Sequence, residues 1–345
     1  MRRKNYQKSL RNGGSLLINY DFLYAYENKL YHTLAFENQV RGYKLYKAVI
    51  DAGFTCPNID GTKGTGGCIF CSGGSGYFTA SADIPIEQQI ENEMTRLRQK
   101  DENARAVAYF QAHTNTYAPL PVLRDLYERA LRCPGIEGLA IATRPDALSE
   151  ETLDYLKELS TRTFLTVELG LQTIHERTAK NINRCFTMAE FMESYKALKM
   201  RGIRTCIHLI NSLPGETKKM MLETAALVGQ LRPDAVKIHM LHVIQGTPLE
   251  EIYRKKKYRP LSLDEYVRLV CCQLEVLPPE TVIERLTGDG DKATLVAPAW
   301  TRDKIRVLGS IDQTLDRWET WQGRYFSGNE ERIRDFLNFE RRGSY

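Results

Sequence analysis

The chain has 345 residues, 42% of them hydrophobic and 26% charged, with a net charge of +5. That balance supports a large buried core and excludes a fibrous chain or wholesale disorder. No apolar run approaches the roughly 20 residues a membrane helix needs. The basic N-terminus lacks a small-residue cleavage site, so a cytoplasmic protein without membrane association is expected.

Residues 1–40 are Tyr- and Asn-rich and read as an N-terminal extension with a helix around 21–34. From about residue 43, short aliphatic and β-branched runs alternate with stretches of helical period. The predicted strands are residues 45–50, 106–110, 139–142, 164–169, 204–210 and 235–240. Between the first two, Ile86, Ile90, Met94 and Leu97 recur at spacings of four, four and three, which puts them on one helical face. The next helix follows Pro121, with Leu123, Leu126, Tyr127 and Ala130 inward. Further helices are predicted over 149–159, with Ser149 as N-cap, and over 189–200 and 216–231. Beyond Leu277 the pattern weakens into a small strand pair over 281–286 and 293–296, a helix over 302–318 and a basic tail at Arg341 and Arg342.

Strand–helix alternation with crossovers of this length implies a parallel sheet, because parallel neighbours need a long return path. Six such units suit an α/β fold built as an incomplete (β/α)6 barrel over residues 41–290, with 291–345 a C-terminal extension. An open doubly wound sheet is the alternative. Both put functional groups at the carboxyl ends of the strands.

Residues 53–78, directly after the first strand, carry Cys56, Cys68 and Cys71 among many glycines. Eight cysteines in a chain expected to stay in the cytoplasm point to metal or redox chemistry before disulfides. Glycine backbone lets a loop wrap an inorganic cluster and turn its N–H groups toward sulfide. Structural zinc and ferredoxin clusters normally take four ligands, so three thiolates leave one metal position open. A zinc site completed by a distant histidine, or ordinary buried thiols, are the other readings of the loop. Cys133, Cys185, Cys206, Cys271 and Cys272 read as small packing side chains, with a later role for Cys185, Cys271 or Cys272 left open. Basic clusters at Arg2, Arg3, Lys4, Lys8 and Arg11 and at residues 254–257 suit either phosphate contact or solvated surface.

The loop, CPN-x-DG-x-x-G-x-GGC-x-FC, resembles the cluster loop of the radical S-adenosylmethionine (SAM) superfamily, in the branch related to the Elongator catalytic subunit. The usual superfamily spacing is C-x3-C-x2-C, whereas here it is C-x11-C-x2-C, and long spacing is a feature of that branch. The resemblance extends over roughly residues 43–290, through the Thr143-Arg144-Pro145-Asp146 stretch, the Val167-Glu168-Leu169-Gly170-Leu171-Gln172 strand end, Asn183-Arg184 and the Leu213-Pro214-Gly215-Glu216-Thr217 turn, while Gln245-Gly246-Thr247-Pro248-Leu249 resembles the turn near the adenosine in oxygen-independent coproporphyrinogen dehydrogenases of the same superfamily. It implies a [4Fe-4S] cluster on Cys56, Cys68 and Cys71 with SAM on the open iron, and SAM contacts from Gln111, Glu168, Gln172 and Arg184. The segment after Gln111 lacks the glycines the superfamily usually has there. His113, His208, His239 and His242 fall near strand ends and read as satisfied buried histidines rather than catalytic bases.

The implied chemistry is reductive cleavage of SAM to a 5′-deoxyadenosyl radical that abstracts hydrogen from substrate, with an electron donor such as flavodoxin or ferredoxin as partner. The Elongator-like motifs imply a tRNA wobble uridine side chain as substrate. Residues 291–345 look too short for an acetyltransferase domain, so acetyl transfer is not expected. A small-molecule or tetrapyrrole-like substrate is the rival within enzymes, and a non-catalytic iron–sulfur or zinc protein the rival outside them.

Overall fold

In a computed structural model, residues 28–72, 81–288, 290 and 293–326 are described. The basic stretches at residues 2–11 and 341–342, and most of the helix expected over 21–34, lie outside them. The first described helix, α1 (Leu34–Arg41), starts where that expected helix was to end, with Thr33 Oγ1 accepting from the Phe36 amide as its N-cap.

Seven strands pair in parallel: β1 (Leu45–Ile50), β2 (Arg105–Phe110), β3 (Ile136–Thr143), β4 (Phe164–Gln172), β5 (Arg204–Asn211), β6 (Ala235–Met240) and, after a two-residue β7 (Val243–Ile244), β8 (Val282–Arg285). Their spatial order follows the chain, β1 through β6 and then β8. No reversal of strand order occurs, which removes the doubly wound alternative. The six predicted strands are all present. The expected pairing of 281–286 with 293–296 is not: β8 extends the main sheet beside β6, while β9 (Leu295–Ala297) pairs antiparallel with β7. Four residues carry little periodicity, and the exposed backbone edge of β6 decided where β8 went.

Period-two alternation sorts each strand between two environments. Ala48 and Ile50, Phe110, Ile141, Val167, Ile207 and Ile238 belong to the main core, together with the apolar stripes of the helices. The helices after α1 are α2 (Ile86–Arg98), α3 (Leu120–Leu131), α4 (Glu150–Ser160), α5 (Glu176–Asn181), α6 (Met188–Met200), α7 (Lys218–Leu231), α8 (Pro248–Arg254), α9 (Leu263–Val276) and α10 (Lys304–Arg317), of which α5 and α8 add nothing to that core, Leu249 of α8 packing in a second, smaller cluster with Leu213 and Val243. Ile86, Ile90, Met94 and Leu97 are all buried, as their spacing requires. Ser149 caps α4 by accepting from the Thr152 amide. In α9, Cys271 and Cys272 are buried in the same core, with Val307, Ile311 and Leu315 of α10 alongside.

The opposite strand positions, among them Lys47, Tyr109, Glu168, His208 and Lys237, face one another across the concave side. A flat sheet of seven strands would hold its edges roughly 29 Å apart at about 4.8 Å per spacing. Lys47 on β1 and Glu284 on β8 are nevertheless within hydrogen-bond distance, at 2.8 Å. The sheet is therefore curled into an incomplete barrel.

Candidate active site

The cysteine loop leaves β1 and crosses the carboxyl ends of the strands. Its turns are local: the Cys56 carbonyl accepts from the Ile59 amide at 2.8 Å, and the Cys71 amide donates to the Cys68 carbonyl at 2.9 Å. Its position is set by the turn after α5. Asn183 donates through Nδ2 to the Gly67 and Thr65 carbonyls at 2.7 and 3.1 Å. Asn58 returns the contact, donating to the Asn183 carbonyl at 2.5 Å with Cys68 Sγ at 3.7 Å from the same nitrogen. Gly64 is required by close approach, since a Cβ there would stand 2.3 Å from Asn58 Oδ1 and 2.8 Å from Cys185 Sγ. Cys185 thus packs under the loop rather than joining Cys271 and Cys272 in the core.

The three predicted ligands lie near enough to feel one another electrically. Burial pushes the Cys68 thiol up to about 12, with Cys71 and Cys56 adding to the rise and the Arg144 guanidinium opposing it. A thiol in that state becomes a thiolate only against a strong cation, which is what a metal supplies. Among the described residues no three His, Cys, Asp or Glu side chains converge on a single-ion position. Thiolate ligands of a polynuclear cluster each bind a different iron and need no such convergence.

Beneath the loop is a cavity of about 370 Å³, lined by Cys71, Gln111, Arg144, Glu168, Gln172, His239 and Arg285 among others. His113, His208 and His242 line it as well. Gln172 has a positive φ of 63°, and its buried Oε1 has no hydrogen-bond partner.

Arg184 is placed differently from expectation. Its guanidinium is fully buried outside the cavity lining. Nη1 donates to the Leu171 and Thr173 carbonyls at 2.9 and 2.6 Å, while Nε and Nη2 donate to Phe186 O at 3.2 and 3.0 Å. Arg184 clamps the end of β4 to the loop-holding turn and is not turned toward a cofactor carboxylate. The arginine at the cavity wall is Arg144, held by Asp146 through Nε and Nη2 at 2.9 and 2.8 Å and by the Arg184 carbonyl at 2.9 Å.

Glu168 borders the cavity, but its oxygens are already engaged rather than offered to a ribose. Oε1 accepts from Lys47 at 2.9 Å, and Oε2 from Tyr109 at 2.8 Å and from Lys237, with His208 Nε2 at 2.8 Å. Burial pushes this carboxyl up, yet the Lys237 and Lys47 ammoniums and the His208 hydrogen bond outweigh it and hold it well below the ordinary range. Lys47, Lys237, Tyr109 and Glu284 were missed in the sequence. Their signal was present: a lysine inside each of the apolar strands 45–50 and 235–240 falls on the face opposite the core residues.

The Radical SAM superfamily profile matches residues 59–228, beginning three residues after Cys56, and the Radical SAM C-terminal domain profile matches 233–317. Uncharacterized protein YtqA of Bacillus subtilis is 44% identical over 92% of this chain and 99% of its own length. The chain belongs to the radical SAM superfamily. A tRNA uridine(34) acetyltransferase of Methanocaldococcus jannaschii is 30% identical over 44% of this chain and 28% of that protein. In fold, the chain resembles the archaeal Elp3 of Methanocaldococcus infernus, with a TM-score of 0.62 at 17% identity over 81% of this chain and 64% of that one. Among the described residues no helix is long and apolar enough to cross a membrane.

Membership in the superfamily implies an iron–sulfur cluster and SAM. The donor set fits: three soft thiols on a glycine-rich loop, above a cavity holding a buried acceptor, Gln172 Oε1, with no partner of its own.

Proposed function

We propose that this radical SAM enzyme modifies the side chain of a tRNA wobble uridine. Cys56, Cys68 and Cys71 would hold a [4Fe-4S] cluster, and Gln111 and Gln172 would contact SAM. When bound, these groups supply reductive cleavage of SAM and abstraction of hydrogen from an unactivated C–H bond. The protein's own residues do the rest. Arg144 lies beside the thiolates, Gln172 Oε1 offers an acceptor to a ligand donor, and the curled sheet encloses the reacting atoms from water.

The observation that carries the substrate is the 155-residue likeness to the tRNA uridine(34) acetyltransferase. It covers 44% of this chain. A one-electron donor such as flavodoxin or ferredoxin would serve as partner, in the cytoplasm.

Two experiments test the reading. Anaerobically reconstituted protein given dithionite and SAM is expected to form 5′-deoxyadenosine, and the triple variant of Cys56, Cys68 and Cys71 to Ala is expected to form none. The tRNA of a deletion strain is expected to lack one wobble-uridine modification by mass spectrometry. An unaltered tRNA profile would refute the substrate assignment.

A further inference from the structure

Among the described residues, the charges lining the cavity are balanced with one exception. Glu168 is neutralised by Lys47 and Lys237, and Arg144 by Asp146. Arg285, on β8, borders the same cavity, and among the described residues no carboxylate stands within ion-pair distance of it. It sits in register beside Lys237, which is level with His208 and Gly170 across the sheet. Gln172, further along β4, pairs with Leu209. Arg285 therefore starts from a layer of the barrel one step below Gln172, away from the cysteine loop.

Next to it is a second unanswered group. His239 Nε2 is buried without a hydrogen-bond partner. Its ring packs against His208 with centroids 5.2 Å apart. Burial first, then the Arg285 and His208 charges, holds its imidazole well below the usual range and so neutral. In the tautomer protonated at Nε2, a neutral histidine has one N–H donor that no acceptor of the protein answers.

An arginine that no described carboxylate answers in a half-enclosed cavity is costly, and so is a buried ring nitrogen without a partner. A bound oxyanion removes both costs. The guanidinium fork matches two oxygens of a carboxylate or phosphate, and the imidazole N–H takes a third contact.

We propose that Arg285 and His239 seat an oxyanion of the substrate, a carboxylate or a phosphate, in the lower layer of the cavity. Arg285 is then a specificity-determining residue for an anionic substrate group. The inference rests on the cavity being the reaction chamber of the proposed enzyme and not on the tRNA assignment. An unaltered tRNA profile would remove that assignment and leave this seat in place.

The test uses anaerobically reconstituted protein saturated with SAM, titrated with inorganic phosphate and separately with acetate at constant ionic strength. Thermal midpoint is the readout. The native protein is expected to be stabilised by at least one anion, and Arg285→Gln to respond at least tenfold more weakly while binding SAM as before. A response to phosphate alone assigns a phosphate-bearing substrate, and one to acetate alone a carboxylate-bearing one. No response in the native protein, or an equal response in the variant, overturns the seat. A tenfold loss of SAM affinity in Arg285→Gln also overturns it, by giving Arg285 to the cofactor's own carboxylate. His239→Phe keeps the ring volume and removes the nitrogen, so it serves if the glutamine variant does not fold. A several-fold weaker anion response is expected there, and an undiminished one counts against the pair.

Discussion

Lys47 on the first strand and Glu284 on the last are joined by a 2.8 Å hydrogen bond, across a sheet whose order places five strands between them. The same ammonium reaches Glu168 on β4 at 2.9 Å. Three distant parts of the chain thus meet at one buried cluster of charges, and the curl of the sheet and the polar floor of the cavity are one feature.

Removing the central carboxylate should expose the cost of that cluster. Glu168→Ala leaves the Lys47 and Lys237 ammoniums to share the one carboxylate of Glu284, and a loss of about 3–5 kcal/mol is expected. Urea unfolding of the two proteins measures it. An unchanged midpoint would mean the lysines find other partners.

The same group sets an acid limit. The folded-state carboxyl of Glu168 lies well below its ordinary 4.5, so its contribution is complete above about that pH. It is lost as pH falls below 4.5 toward the folded value. The native protein should therefore lose stability more steeply in acid than Glu168→Gln, which has no carboxyl to protonate. Parallel slopes of stability against pH in the two proteins below 4.5 would contradict this.

Arg184→Lys should behave as a structural lesion. A lysine lacks the planar fork that reaches the Leu171, Thr173 and Phe186 carbonyls, and each buried carbonyl left alone costs about 1–3 kcal/mol. The denaturation midpoint should fall by at least that much. A variant with full stability and weakened SAM binding would restore Arg184 to a cofactor role.

Gln172→Ala is expected to do the reverse. It deletes an acceptor that has no partner in the protein, so stability should change by less than about 1 kcal/mol. Affinity for SAM, followed by equilibrium dialysis under nitrogen, should fall by roughly tenfold, the worth of one good hydrogen bond. Unchanged affinity would remove Gln172 from the SAM contacts.

Gly64→Ala tests the seating of the cysteine loop. The added Cβ meets Asn58 Oδ1 and Cys185 Sγ well inside van der Waals distance, and Asn58 is pinned through its other amide atom to Asn183. Iron retained after anaerobic reconstitution should drop in this variant. The companion Cys185→Ala relieves one of the two clashes and should recover part of the loss, whereas full iron loading of Gly64→Ala alone would mean the loop shifts freely.

The strands, the helices and the cysteine loop were legible in the chain because each rests on local chemistry. Alternation with period two marked residues 45–50 and 235–240, the spacing of Ile86, Ile90, Met94 and Leu97 marked one helix face, and three cysteines among glycines marked a metal loop. Local pattern does not say which distant groups meet. Arg184, which in sequence offers a fork to any anion, is spent on three backbone carbonyls that only the fold brings to it. Glu168 is answered by lysines 121 positions before it and 69 after it. Whether a charge in the cavity is neutralised or, as at Arg285 among the described residues, is not, depends on through-space distances that strand order and curl set, and so was decided by the tertiary structure alone.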